Sequence, residues 1–172
     1  MRILVATASR YGSTREVGER LAATLAVDLE RQMIEAEIDV IDVVDVEDIA
    51  FYDAAIIGSA VYFGRWLRPA RDLIDREQHN LHQLPVWLFS SGPVGDNTPA
   101  TGSAMTAPWA REHRTFPGKL DRSTLRRSER LVAAVLRAPD VDDRDFVEID
   151  GWAHDIASSL AGSRPGRSQI VS

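Results

Sequence analysis

Arg2-Ile3-Leu4-Val5-Ala6-Thr7-Ala8-Ser9-Arg10-Tyr11-Gly12-Ser13-Thr14 is the stretch that decides the fold. Its first part, Arg2 to Thr7, is a short aliphatic run ending at small polar residues. That is the pattern of a strand buried on both faces. From Ser13 the period changes. Val17, Leu21, Leu25 and Leu29 recur every four residues, with Glu16, Glu19, Arg20 and Arg31 between them, which predicts an amphipathic helix of about 20 residues. The join between strand and helix, Thr7 to Thr14, holds four Ser or Thr hydroxyls and one glycine.

The same alternation continues along the chain. Ile38–Val43, Ala54–Ser59 and Pro85–Ser90 read as further strands, and His113–Phe116 as a weaker fifth. A helix begins at Pro69, a residue suited to a first turn. Residues 91–110 are rich in Gly, Pro, Ser, Thr and Ala and read mostly as loop. Leu125, Leu131, Val132, Val135 and Leu136 predict a helix over 123–137, ended by Pro139. Val147, Ile149, Trp152, Ile156 and Leu160 predict a last helix over 148–161. Buried strands alternating with amphipathic helices imply an α/β fold, with a parallel sheet covered on both faces. Right-handed crossovers make it doubly wound. A single domain over 1–162 and a flexible tail over 163–172 are expected. In such a fold the ligand sits outside the carboxyl ends of the strands.

Composition narrows the chemistry. The 172 residues carry a net charge of −6, with 44% apolar and 27% charged side chains, ordinary values for a globular chain. There is no cysteine, which removes disulfides, thiol nucleophiles, thiolate metal sites and iron–sulfur clusters. Only four histidines are present, so a structural metal is not expected. The opening apolar run is too short for a signal-peptide core, and no stretch approaches a membrane span. A soluble cytoplasmic protein is therefore expected, with no nucleic acid as partner. Charge is uneven: residues 111–137 carry a net +5 and residues 138–155 a net −6. Two solvated helix faces that attract each other explain this, and so does a binding surface beside its neighbour.

The strand ends carry the candidate site. A helix N-terminus presents unpaired N–H groups and a partial positive charge. Hydroxyls add donors and Gly12 lets the backbone approach closely, so Ser9 to Thr14 is a phosphate cradle in chemical terms. Ser9 or Ser13 could serve merely as a helix cap, but a cap needs one hydroxyl and this loop brings four. Several phosphate-handling folds are excluded here. A receiver domain needs acids after strand one and an Asp after strand three, where Ala8-Ser9 and Ser59-Ala60 stand. A small tyrosine phosphatase needs a cysteine. A dinucleotide fold needs Gly-x-Gly-x-x-Gly, and only Gly12 is present.

Ser9-Arg10-Tyr11-Gly12-Ser13-Thr14 resembles the flavodoxin phosphate loop, with Tyr11 in place of its central Thr. Gly58-Ser59-Ala60-Val61-Tyr62-Phe63-Gly64 resembles that family's first ring loop, and Ser90-Ser91-Gly92-Pro93-Val94-Gly95 its second. The run Ser9 to Glu16, Tyr52-Asp53 and Tyr62-Phe63-Gly64 are similar to the flavodoxin-type, menaquinone-dependent protoporphyrinogen IX dehydrogenases and their short relatives. Unlike that family, residues 119–137 are basic without an aromatic.

The resemblance implies a flavodoxin-like, doubly wound sheet of five parallel strands in the order 2-1-3-4-5. It implies FMN as cofactor. Ser9, Arg10, Tyr11, Gly12, Ser13 and Thr14 would take the phosphate, with Arg10 adding charge or pointing to solvent. Ala60, Val61, Tyr62, Phe63 and Gly64, with Ser91, Gly92, Pro93, Val94 and Gly95, would flank the ring. Tyr62 or Phe63 would stack on it, with Trp66 a third candidate; ordinary core packing is the other reading of these aromatics. No side chain is expected to act as a general base. The implied function is an FMN-dependent oxidoreductase delivering electrons to a quinone-type acceptor. The alternatives are an electron-carrier flavodoxin, a quinone reductase using a nicotinamide donor, and a degenerate domain without flavin. Arg126, Arg127 and Arg130 would meet an anionic partner, or a membrane surface at its inner face, unless they are simply the solvated side of a packed helix.

Overall fold

The computed structural model describes residues 1–92, 107–117 and 146–163. Strand β1 (Arg2–Ala8) is buried from Ile3 onward and forms the axis of the sheet. It pairs in parallel with β2 (Glu37–Asp42) on one side and β3 (Ala54–Tyr62) on the other. Strand β5 (Val86–Gly92) lies parallel beside β3, and β6 (Glu112–Pro117) parallel beside β5. The order β2-β1-β3-β5-β6 is the expected one, renumbered by the short strand β4 (Arg65–Trp66) that folds back on β3. The sequence hides β4 because two residues carry no period.

Alternate side chains of each strand feed two cores. Ile3, Val5, Ile56, Trp87 and Phe89 face helix α1 (Ser13–Arg31) and helix α3 (Phe146–Gly162). Leu4, Ala6, Ile57, Val86 and Leu88 face helix α2 (Arg68–Leu81). Helix α2 carries Pro in its first turn, as expected. Two glycines set the first layer. A Cβ on Gly58 would stand 2.0 Å from Cζ of Phe89, and one on Gly18 would stand 2.7 Å from Cγ2 of Thr7. Phe89 therefore lies flat across β3, and α1 rides close on β1.

The crossover from β2 to β3 contains no helix. Val43, Val46 and Ile49 instead plug the second core from turns. Helix α2 holds this crossover. Arg76 Nη2 donates to the Val46 carbonyl at 2.7 Å, and the buried Glu77 accepts from Asn80 at 2.9 Å and from Arg76 at 3.0 Å. Burial alone would push the Glu77 carboxyl up. Hydrogen bonds from Asn80, Arg76 and the Ile49 N–H outweigh it, and the group lies below its ordinary value.

Helix α3 is fastened to α1 and to β6. Arg20 grips Asp150 with two donors, and Thr24 donates to Asp150 at 2.7 Å. Trp152 Nε1 donates to Glu112 at 2.7 Å, and Arg114 bridges Glu112 and Asp155. The Arg114–Asp155 pair is one direct contact between the basic and acidic blocks of the sequence. The predicted helix over 123–137, with Arg126, Arg127 and Arg130, lies outside the described residues, as does the tail from residue 164. Among the described residues, no helix is long and apolar enough to cross a membrane.

Candidate functional site

At the carboxyl end of β1 the chain turns through Ser9 to Gly12 and enters α1 directly. Gly12 is the N-cap, in a left-handed conformation with φ of 89°, and no side chain caps the helix. A side chain at that φ is strained, which is why glycine stands there. The Gly12 N–H donates to Ser9 Oγ at 2.9 Å, so Ser9 braces the loop from within. The first helical bond runs from the Glu16 N–H to the Gly12 carbonyl at 2.9 Å. The N–H groups of Ser13, Thr14 and Arg15 therefore have no acceptor inside the helix. Thr14 is 0% exposed, and its Oγ1 has no hydrogen-bond partner. Nothing stands within 4 Å of the position a Cβ on Gly12 would take. Such an unfilled buried hydroxyl costs about 1–3 kcal/mol if it stays unpaired. The loop thus gathers three helix N–H groups and an unpartnered hydroxyl at one helix start.

The second segment differs from its sequence reading. Strand three was expected to end at Ser59, with residues 60–64 as a loop. Instead β3 runs on through Ala60, Val61 and Tyr62, and only Phe63 and Gly64 turn. Val61 pairs with Trp66 and Tyr62 with Arg65, so this is a two-residue hairpin. Both turn residues have positive φ, 50° and 71°, the pattern that matches the twist of paired strands. Gly64 adopts it freely; Phe63 does so at a cost of about 1–2 kcal/mol. Phe63 is also 84% exposed. Both features set it apart from a core aromatic.

Trp66 is not a stacking face. It is 2% exposed, and its Nε1 donates to Ser90 Oγ at 2.8 Å. Ser90 Oγ also lies 2.9 Å from His113 Nε2, and the Leu67 N–H donates to Ser59 Oγ at 3.0 Å. This network roots the hairpin in the sheet. Sequence reading missed it. The signal was there: Ser59 and Ser90 close the two apolar runs read as adjacent strands, and they pair in register.

The third segment was expected as loop. Ser91 and Gly92 instead complete β5, and Pro93, Val94 and Gly95 lie outside the described residues. Ser91 pairs with Ala60, is buried, and its Oγ also lacks a partner. A Cβ on Gly92 would stand 3.3 Å from Val61, so the two strand ends approach closely there. The first two segments meet through Arg10, whose guanidinium lies over the Tyr62 ring. Tyr11 and Ser13 are half-buried in the first loop.

Residues 4–145 of the chain match the flavodoxin domain family. The chain belongs to that family. Its fold is similar to a flavodoxin from the domain Archaea, with TM-score 0.52 and 16% identity, over 93% of this chain and 99% of that one. It is similar to the two-electron reduced flavodoxin of Megasphaera elsdenii, with TM-score 0.56 and 13% identity, over 91% and 98% of the two chains. It is also similar to the flavodiiron core of Flv1 from Synechocystis sp. PCC6803, with TM-score 0.56 and 12% identity, over 95% of this chain and 37% of that one. No curated protein matches the sequence.

The cofactor of a flavodoxin domain is FMN. The residues present fit it. A phosphate dianion brings acceptors, and the loop after β1 brings donors to meet them: three helix N–H groups and the orphaned Thr14 hydroxyl. No Asp, Glu or His lies within residues 9–14 or 60–64.

Proposed function

We propose that this flavodoxin-family chain is an FMN-dependent oxidoreductase that passes electrons to a quinone-type acceptor. The observation that carries the cofactor site is the Thr14 hydroxyl, fully buried and unpartnered at the start of an uncapped helix. Thr14 and the N–H groups of Ser13 and Arg15 would donate to the phosphate, and Ser9 would hold the loop in the shape that aims them. Residues 60–64, with Ser91 and Gly92, would flank the ring, Tyr62 and Phe63 offering their aromatic faces. When bound, FMN supplies the one- and two-electron chemistry. The protein's share is to bind, orient and shield. Residues 9–14 and 60–64 hold no Asp, Glu or His, and no proton-transfer role is assigned to their side chains.

The quinone reading rests on the resemblance of Ser9 to Glu16 and of the hairpin to the protoporphyrinogen IX dehydrogenases. The exposed Phe63 supports it, since it offers an apolar face to a planar acceptor. The test is anaerobic. Holoprotein reduced with dithionite is mixed with menadione, and the flavin band near ~450 nm is followed. Reoxidation within seconds that slows severalfold in Phe63→Ser supports the reading. Equal rates in both proteins remove the role of Phe63. No reoxidation by menadione removes the quinone acceptor and leaves an electron carrier.

A further inference from the structure

Charge at the carboxyl end of the sheet is divided. On the β2 side stand the exposed Asp42 and Asp45, beside the phosphate loop where the Val43 N–H donates to the Thr7 carbonyl. On the other side, residues 58–71 contain Arg65, Arg68 and Arg71 and no acid at all. All three arginines are exposed, one on the hairpin and two in the first turn of α2, where positions three apart share a face. Arg68 has one neighbour of opposite sign, Asp72 at 3.4 Å, and both side chains are mostly in solvent. Among the described residues no ion pair engages Arg65 or Arg71. At the edge of this strip stands Phe63, 84% exposed and held at positive φ. The strip adjoins the candidate flavin site directly, because Arg65 pairs with Tyr62 and Tyr62 lies under Arg10.

We propose that Phe63, Arg65, Arg68 and Arg71 form the docking surface for an acidic one-electron donor protein. The proposal rests on the FMN reading above. A basic strip on a chain of net charge −6 concentrates attraction at one end and leaves repulsion elsewhere, which orients an acidic partner onto the flavin side. Phe63 supplies an apolar contact at the edge of the strip, next to the candidate flavin site. One hairpin aromatic is too little buried area to hold a membrane surface, which favours a protein. Each productive encounter oxidises the donor by one electron and reduces the bound FMN by one. Two encounters, with protons from water, complete the reduction.

The sign of a salt dependence tests this. A small acidic ferredoxin, reduced beforehand, is mixed with FMN-loaded protein in a stopped-flow instrument at rising ionic strength. Net charge alone makes the two repel, so the rate would rise with salt. The docking strip makes it fall. The expected result is a falling rate in the wild type, and a rate about tenfold lower at low salt in R65E/R68E/R71E. The neutral R65Q/R68Q/R71Q, expected at an intermediate rate, serves where the reversal does not fold. A rate that rises with salt in the wild type overturns the proposal. So does co-sedimentation with phosphatidylglycerol vesicles that the variant loses while its ferredoxin rate stays unchanged, which makes the strip a membrane contact. Retention of the flavin spectrum in every variant separates these outcomes from a failure of the FMN reading.

Discussion

The guanidinium of Arg10 lies over the ring of Tyr62, 5.2 Å from its centroid. This one pair ties the loop after β1 to the hairpin after β3, the two segments that would hold opposite ends of the cofactor. Through this pair Arg10 would act on the ring side. A half-exposed cation–π pair is worth about 0.5–1 kcal/mol. Arg10→Ala should weaken binding of FMN and of riboflavin by the same factor, about two- to fivefold. Fluorescence titration with both flavins checks it. A loss confined to FMN would mean that Arg10 serves the phosphate alone.

Two glycines should fail for different reasons. Gly58→Ala forces a methyl into the Phe89 ring and should destabilise the protein by about 3 kcal/mol or more. Gly12→Ala meets no atom, but strains a residue held at φ of 89°, at about 1–2 kcal/mol. Urea unfolding gives both values. The reverse order would contradict the packing described for β3 and β5.

Met33 occupies a position suited to glycine. It follows the C-cap of α1 with φ of 57° and is 90% exposed. The Ile34 N–H donates to the Leu29 carbonyl and the Met33 N–H to the Glu30 carbonyl, the paired bonds of a Schellman turn. Met33→Gly should raise stability by about 0.5–1 kcal/mol. An unchanged or lower urea midpoint would count against the strained turn.

The carboxyl of Glu77 is held below its ordinary value, so its sign in folding is fixed. Its contribution is complete above the unfolded value and is lost as pH falls through the folded one. Glu77→Gln should cost about 1–3 kcal/mol at pH 7, by loss of charge-assisted hydrogen bonds. That gap should shrink when unfolding is repeated below about pH 4. A gap that holds constant with pH would show that Glu77 acts by shape rather than by charge.

The sheet could be read from sequence because its strands are buried on both faces, and unbroken aliphatic runs such as Ile3–Ala6 and Ala54–Ile57 have few other fates. The order of the five parallel strands came from resemblance rather than periodicity, and it matches. What escaped was local. The two-residue β4 has no pattern, and its turn places Phe63 at a positive φ that no sequence rule assigns to phenylalanine. The extension of β3 through Tyr62 was hidden because Gly58 looks like a strand end. In the structure Gly58 is where Phe89 crosses the strand. Trp66 looked like a ring face because it lies among glycines and aromatics; its burial depends on Ser90, which is distant in sequence. The strand-to-helix turn after β1 was legible because the aliphatic run Ile3–Ala6 gives way at Ser13 to a four-residue period.

In the proposed site, Thr14 and the open start of α1 receive the phosphate of FMN. Calorimetric titration of the FMN-free protein with FMN and with riboflavin, for the wild type and for Thr14→Val, tests it most directly. A hydrogen bond to a charged group is worth about 1.5–3 kcal/mol, so the variant should bind FMN roughly ten- to a hundredfold more weakly and riboflavin unchanged. Equal affinity of the wild type for both flavins, or an FMN affinity indifferent to Thr14, would contradict the account.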